Sequence, residues 1–204
     1  MTELEVRLRR AEALAFDPGR AASELARRAA DAGLLDVAYA WMDSPLGELL
    51  VAVTPRGLVR VAYEDEPESE VLDELAARVS PRVLRAPERT DAVRRELDTY
   101  FAHRRRTFET PVDWSLVRGF ARRVLDATAH VPYGEVTTYS AMAAAAGSPR
   151  AHRAAGNALG SNPIPIVVPC HRVLYADGGL GGYTGGLDRK RHLLELEGVL
   201  PSVR

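Results

Sequence analysis

The segment Pro163-Ile-Pro-Ile-Val-Val-Pro169 leaves this chain the least freedom: its prolines forbid a continuous helix, and the aliphatic residues between them favour burial. Each proline also biases the residue before it toward extended backbone. An extended, sheltered strip is therefore expected, and it leads straight into Cys170-His171-Arg172-Val173. Such a strip would deliver Cys170 from a rigid support into an apolar setting.

Cys170 is the single cysteine of the 204 residues, so neither an intramolecular disulfide nor a multi-thiolate zinc site can form. The five histidines show no metal-ligand spacing, and neither metal nor cofactor is expected. A lone cysteine is most often a small buried apolar residue. Its neighbours suggest chemistry instead. A free thiol of pKa ~8.5 is only a few per cent thiolate at neutral pH. A histidine can take its proton, and a carboxylate can orient the histidine. Adjacent side chains diverge, so a water is expected between Cys170 and His171.

Local patterns give the surrounding organisation. Leu4, Leu8, Ala11 and Leu14 recur at helical spacing up to the break at Asp17-Pro18-Gly19, and a second helix is predicted from about Ala21 to Ala32. Residues 1–36 thus read as a helical extension, either a packed cap or a partner-binding arm. Val37–Met42, Gly47–Val53 and Gly57–Tyr63 read as strands separated by Ser-Pro and Thr-Pro-Arg-Gly turns. Helices are predicted around Val71, Leu75 and Val79, and from about Thr90 to Ala102. The second half opens with a helix from about Ser115 to Thr128. Thr138 can cap another from Tyr139 to Ala146, and Gly147-Ser148-Pro149 turns the chain into a third, from about Arg150 to Leu159. That pair reads as a helix-turn-helix, or as two packed helices with no DNA role. The glycine-rich run Gly178–Gly186 lacks the signature of a nucleotide loop; it is a flexible turn or a close approach to a flat ligand. A last helix is predicted from about Leu187 to Glu197.

The net charge of −1 argues at first against nucleic acid, but the charge is uneven. Residues 118–204 carry ten Lys/Arg against six Asp/Glu, net +4, whereas residues 1–117 are net −5. That asymmetry fits one DNA-facing half and one acidic half. No apolar stretch reaches the roughly 20 residues of a membrane span. The opening MTELEVRLRR is charged where a signal peptide would be apolar, so a cytoplasmic location is expected.

Pro169-Cys170-His171-Arg172-Val173 resembles the active-site signature of the O6-alkylguanine-DNA alkyltransferases. The resemblance extends in order through Pro132-Tyr133-Gly134-Glu135, Tyr139, Arg153, Gly156, Asn162-Pro163, Tyr183, Gly185-Gly186 and Leu193-Leu-Glu-Leu-Glu-Gly198. A weaker match takes in Asp43-Ser-Pro-Leu-Gly47 and Thr99-Tyr-Phe101. It implies an α+β fold: a ribonuclease-H-like sheet-and-helix subdomain, residues 37–112, then a mostly helical subdomain with the helix-turn-helix, residues 113–204. It further implies direct-reversal repair, in which alkyl groups on O6 of guanine (and O4 of thymine) move irreversibly to Cys170, once per molecule. The implied partner is double-stranded DNA gripped through its minor groove by a monomer, with cooperative assembly on DNA a further possibility. The target base would be flipped out of the stack.

By the same resemblance Cys170 is the nucleophile, His171 the base acting through water, Glu197 its orienting carboxylate, and Tyr139 the donor to guanine N3. Asn162 would be the hinge between the recognition helix and the active-site strip. Arg153 would fill the vacated stack, with Ala151, His152 and Gly156 beside it on DNA. Backbone groups of Cys170, Val173 and Thr184 would read the base, Tyr183 would line the alkyl pocket and Gly185 would keep it open. Glu197→Gln is expected to slow thiolate formation without unfolding the protein. His152 and Gly160 depart from the family pattern, where a small or aliphatic residue and a basic or polar one are usual; Gly160 implies weaker DNA affinity. Three other readings are a lesion-binding protein without a nucleophile, which Cys170 opposes, a Cys-His hydrolase, and a transcriptional regulator. The hydrolase would need an oxyanion hole that the sequence does not show.

Overall fold

The computed structural model describes residues 18–201; the helix expected around Leu4 to Leu14 lies outside them. The first described element, α1 (Pro18–Asp31), covers the second predicted helix. It packs Ala26 against Ala38 and Ala86.

The fold is α+β. Strands β1 (Val37–Met42), β2 (Leu49–Thr54) and β3 (Gly57–Tyr63) form an antiparallel meander. β4 (Val83–Arg85) joins β1 in parallel, giving the order β3-β2-β1-β4. The strands are apolar at nearly every position because both faces of the sheet are covered. Leu50, Ala52 and Ala62 meet Val71 and Leu75 of α2 (Glu68–Arg78) on one face. Leu49, Val51 and Val61 lie in the other core, with Val93 and Leu97 of α3 (Pro87–Phe101). Between Leu58 and Arg60 the register slips, Val53 facing Leu58 and Ala52 facing Arg60. This bulge resets the two-residue alternation, so Leu58 and Val61, three apart, both reach the same core.

The linker to the second half is a ladder of its own, Leu58 N donating to Pro111 O and Asp113 N to Leu58 O, both at 2.8 Å. The helix expected from Ser115 begins later. Asp113 accepts from Ser115 N and closes a single tight turn, Trp114–Leu116, before α4 (Gly119–Ala129) starts. Thr138 caps α5 (Tyr139–Ala145) by accepting from Ala141 N at 3.2 Å. Gly147, at φ +79°, turns the chain toward α6 (His152–Gly160), which starts two residues later than its predicted Arg150. α7 (Leu187–Leu196) closes the described chain. Among the described residues no helix is long and apolar enough to cross a membrane.

The proline-rich strip corrects one expectation: it is turned rather than extended. Val168 N donates to Ile164 O at 2.9 Å, Ile166 has φ +74°, and Cys170–Arg172 form a tight helical turn. The cause lies in Asn162, whose Oδ1 accepts from Ile164 N (3.0 Å) and whose Nδ2 donates to Val168 O (2.8 Å). A side chain that satisfies two backbone groups can template a turn, and the fixed φ of proline suits turns as well as strands. Pro163 O accepts from Val61 N at 2.8 Å, which docks the strip on β3.

Candidate active site

Cys170 is only 4% exposed and sits at the base of the strip. Asn162, the residue that shapes the turn, also brings Nδ2 to within 3.2 Å of Sγ. Immediately after the turn, β6 (Val173–Leu174) pairs in parallel with β5 (Thr137–Thr138). That two-rung ladder ties the segment carrying the thiol to the residue that caps α5.

Behind the thiol lies a buried charged cluster. Glu197 Oε1 accepts from His171 Nε2 (3.0 Å), Tyr100 OH (2.7 Å) and Arg172 Nη2 (2.7 Å). Its Oε2 accepts from Arg172 Nε (2.8 Å) and Gly134 N (3.3 Å). Burial alone would raise this carboxyl, but the hydrogen bonds from His171 and Arg172 outweigh it and hold it at about 2. His171 has the opposite balance: burial pulls its pKa below the usual value despite Glu197, so the imidazole is neutral. With Nε2–H directed at the carboxylate, the lone pair falls on Nδ1, which is buried and has no partner among the described residues. A neutral, oriented imidazole with an open acceptor nitrogen can receive a proton.

Burial also pushes the Cys170 thiol up, to about 11, against the opposing pull of Asn162 and Lys190. At ~1.4 kcal/mol per unit, a free-standing thiolate at neutral pH would cost about 5 kcal/mol. The resting group is therefore a thiol, and nucleophilic attack requires coupled removal of its proton.

A cleft of about 710 Å³ opens between α5, α6 and the glycine-rich segment; Cys170 does not line it, and Tyr183 links it to the buried cluster. Tyr139, His152, Arg153, Gly156, Tyr183 and Thr184 line it; Ala151, just before α6, lies outside it. Arg153 is exposed on the second residue of α6. Tyr139 opens α5, its ring 5.2 Å from that of Tyr175. Gly156 presents its bare backbone to the cleft, and a Cβ there would make ordinary contact with Tyr139. Tyr183 spans the cleft and the buried cluster, its ring 6.4 Å from that of His171. The hydroxyl of Thr184 donates to Gly160 O at 3.0 Å, fixing the cleft rim to the end of α6. A Cβ on Gly185 would lie 2.5 Å from the ring of Tyr63, so the glycine is required by that ring.

Three members of this arrangement were missed by sequence reasoning. Arg172 was read only as part of a motif, yet it supplies the bidentate partner of Glu197 and donates to Val131 O at 2.5 Å. Tyr100 arrives from α3 in the other subdomain, with only the weak Thr99-Tyr-Phe101 match as a signal. Lys190 is fully buried, and its ammonium gathers the carbonyls of Val173 (2.7 Å), Leu180 and Gly182 (3.3 Å). Burial lowers its pKa to about 8, while Cys170 pulls it the other way. The available signal was a lysine one turn after Gly185-Gly186, facing the same way as Leu193 and Leu194. Among the described residues no His, Cys, Asp and Glu cluster could hold a metal.

Residues 119–199 match the family model for the DNA binding domain of 6-O-methylguanine DNA methyltransferase, and residues 37–114 match that for its ribonuclease-like domain. The methylated-DNA–protein-cysteine methyltransferase of Methanosarcina acetivorans is 38% identical over 166 residues, covering 78% of this chain and 97% of the relative. That of Mycolicibacterium paratuberculosis is 42% identical, covering 79% and 92%. A solved structure of Mycobacterium tuberculosis OGT in complex with DNA superimposes with a TM-score of 0.67 at 38% identity, covering 78% of this chain and 92% of that one.

Proposed function

Since the chain belongs to the 6-O-methylguanine DNA methyltransferase family, we propose that it repairs DNA by direct reversal, moving an alkyl group from O6 of guanine to Cys170. The observation that carries this reading is a buried thiol next to the His171–Glu197 pair, in one subdomain with a cleft bearing Arg153, Tyr139 and Tyr183. By the same chemistry O4-alkylthymine is a second substrate.

The thiol is buried, so a base inside a duplex cannot reach it and must be turned out of the stack. α6 enters the minor groove, Arg153 fills the gap left by the base, and Tyr139 borders the path inward. The thiol passes its proton through a water to His171 Nδ1 while sulfur attacks the alkyl carbon in line. The C–O bond breaks, and its electron pair leaves on guanine. Tyr139 donates to N3 as that charge develops, which is general-acid assistance to the leaving group. Guanine leaves with the proton donated by Tyr139, the proton held on His171 returns through solvent to Tyr139, and the alkyl group stays as a thioether. That bond is stable, so each molecule acts once.

Residues 37–112 serve as the supporting subdomain and 113–204 as the DNA-binding and reactive one, and one monomer suffices for the reaction. A Cys-His hydrolase would regenerate its free thiol at each turnover, so a stable adduct on Cys170 separates the two readings.

Incubation with a duplex holding one O6-methylguanine, followed by intact mass and peptide mapping, is expected to show one methyl on Cys170, saturating at one per protein. Tight binding without an adduct would replace this reading with a lesion-binding role. Arg153→Ala should slow repair of the duplex by about 100-fold, the rate equivalent of a base-flipping cost of roughly 3 kcal/mol. Reaction with free O6-benzylguanine should be nearly unchanged. Equal losses on both substrates would remove Arg153 from the flipping step.

A further inference from the structure

Gly185 and Tyr183 belong to the segment that fronts the thiol, but what holds them in place comes from the other subdomain. Tyr63, the last residue of β3, is 1% exposed, and its hydroxyl lies 2.7 Å from the hydroxyl of Tyr183. The two rings meet edge to face, centroids 6.3 Å apart. The Tyr63 ring also occupies the space where a side chain at residue 185 would begin. It therefore touches the segment twice, through Tyr183 by hydrogen bond and through Gly185 by ring contact.

Tyr63 cannot easily retreat. The Arg189 guanidinium stacks over its ring at 4.4 Å. Arg189 is itself held by Leu46 O (3.0 Å), Asp65 Oδ1 (2.7 Å) and Gly185 O (3.2 Å). A buried tyrosine whose hydroxyl simply needed a partner could have met any nearby carbonyl. This one spends its hydroxyl on Tyr183, whose ring faces His171 and lines the cleft.

We propose that Tyr63 is a specificity-determining residue: by pinning Tyr183 and Gly185 from behind, it sets the width of the alkyl pocket and limits the bulk of the group transferred. This rests on the alkyl-transfer reading above. Tyr63 acts through Tyr183 and Gly185 and touches no reacting atom, which makes it a positioning residue. A rigid wall accommodates methyl and resists larger groups, because packed side chains yield poorly to added volume. Without the wall, Tyr183 can swing into the space left by the ring.

The test is the ratio of second-order rate constants for O6-benzylguanine and O6-methylguanine, each placed in the same duplex and measured for wild type, Tyr63→Leu and Tyr63→Phe. Tyr63→Leu removes ring and hydroxyl, and should raise the benzyl-to-methyl ratio by about tenfold, the scale on which a pocket discriminates hydrophobic bulk. Tyr63→Phe keeps the ring and the fold, loses only the hydroxyl bond, and should raise the ratio by about fivefold. Loss of folded protein lowers both rates together and leaves the ratio alone, so a merely structural role predicts no change. A ratio that stays the same or falls in both variants overturns the proposal. Wild type that transfers from neither substrate overturns the alkyl-transfer reading itself, an outcome separate from the behaviour of the variants.

Discussion

Cys170→Ala is expected to lose alkyl transfer entirely while keeping its affinity for duplex DNA within a few-fold. The thiol is the acceptor in the reaction, and no other cysteine exists in the chain to replace it. Losing one buried sulfur leaves a small cavity, a change on the scale of about 1–2 kcal/mol. The turn around it keeps its template, since Asn162 still bonds Ile164 N and Val168 O. Tyr139 and Arg153, proposed above to meet DNA, stand on α5 and α6 rather than on the turn that carries the sulfur. Intact mass after incubation with O6-methylguanine duplex, together with fluorescence anisotropy for binding, separates the two properties. A methyl adduct on the alanine variant would end the assignment of Cys170 as nucleophile.

Glu197→Gln should be strongly destabilising for so conservative a change. From sequence this variant is expected only to slow thiolate formation; the buried Arg172 changes that expectation. Without the carboxylate, Arg172 becomes a buried cation stripped of its bidentate partner, a loss of about 3–5 kcal/mol. Against a typical total of 5–15 kcal/mol, that is a large share. Chemical denaturation should show a lower midpoint, and transfer should slow as His171 loses its orienting acceptor. Acid gives an independent check with a defined sign. The Glu197 carboxyl sits at about 2 when folded and near 4.5 in an unfolded chain. Above about 4.5 it is ionised in both states and its full contribution is present. As pH falls from there toward 2, the unfolded chain takes up the proton first and stability is lost. Glu197→Gln should flatten that part of the stability curve. A wild-type slope retained in the variant would assign the acid sensitivity to other groups.

What could be read from sequence follows the range of the interactions involved. β1 and β3 have the bounds their residues predict, because short apolar runs between turn signals are a local code. The cap on α5 was legible for the same reason, Thr138 and Ala141 being three residues apart. β4 is too short to show a pattern, and it exists because it pairs with β1, more than forty residues earlier. The turned strip was misread because proline permits both extended and turned backbone; the choice is made by Asn162, a polar side chain preceding the strip. At the site, the pairing of His171 with Glu197 came from family resemblance, since nothing local links positions 26 apart. Tyr100, 97 residues from Glu197, and Tyr63, 120 from Tyr183, reach their partners only through the assembled fold.

Those long reaches also bear on how the protein comes apart. One hydrophobic cluster runs from Leu49 and Val61 of the sheet through Leu97 and Tyr100 to Leu125, Ile164 and Leu193. The ladder at Leu58 stitches the linker to the sheet edge, and Pro163 is hydrogen-bonded to β3. A seam at residue 112 would cut through this shared interior rather than pass around it. The two halves should accordingly melt as a single cooperative unit, and the reactive half expressed alone should lack a rigid site, because part of the scaffold that orders its carboxylate and its pocket would be missing.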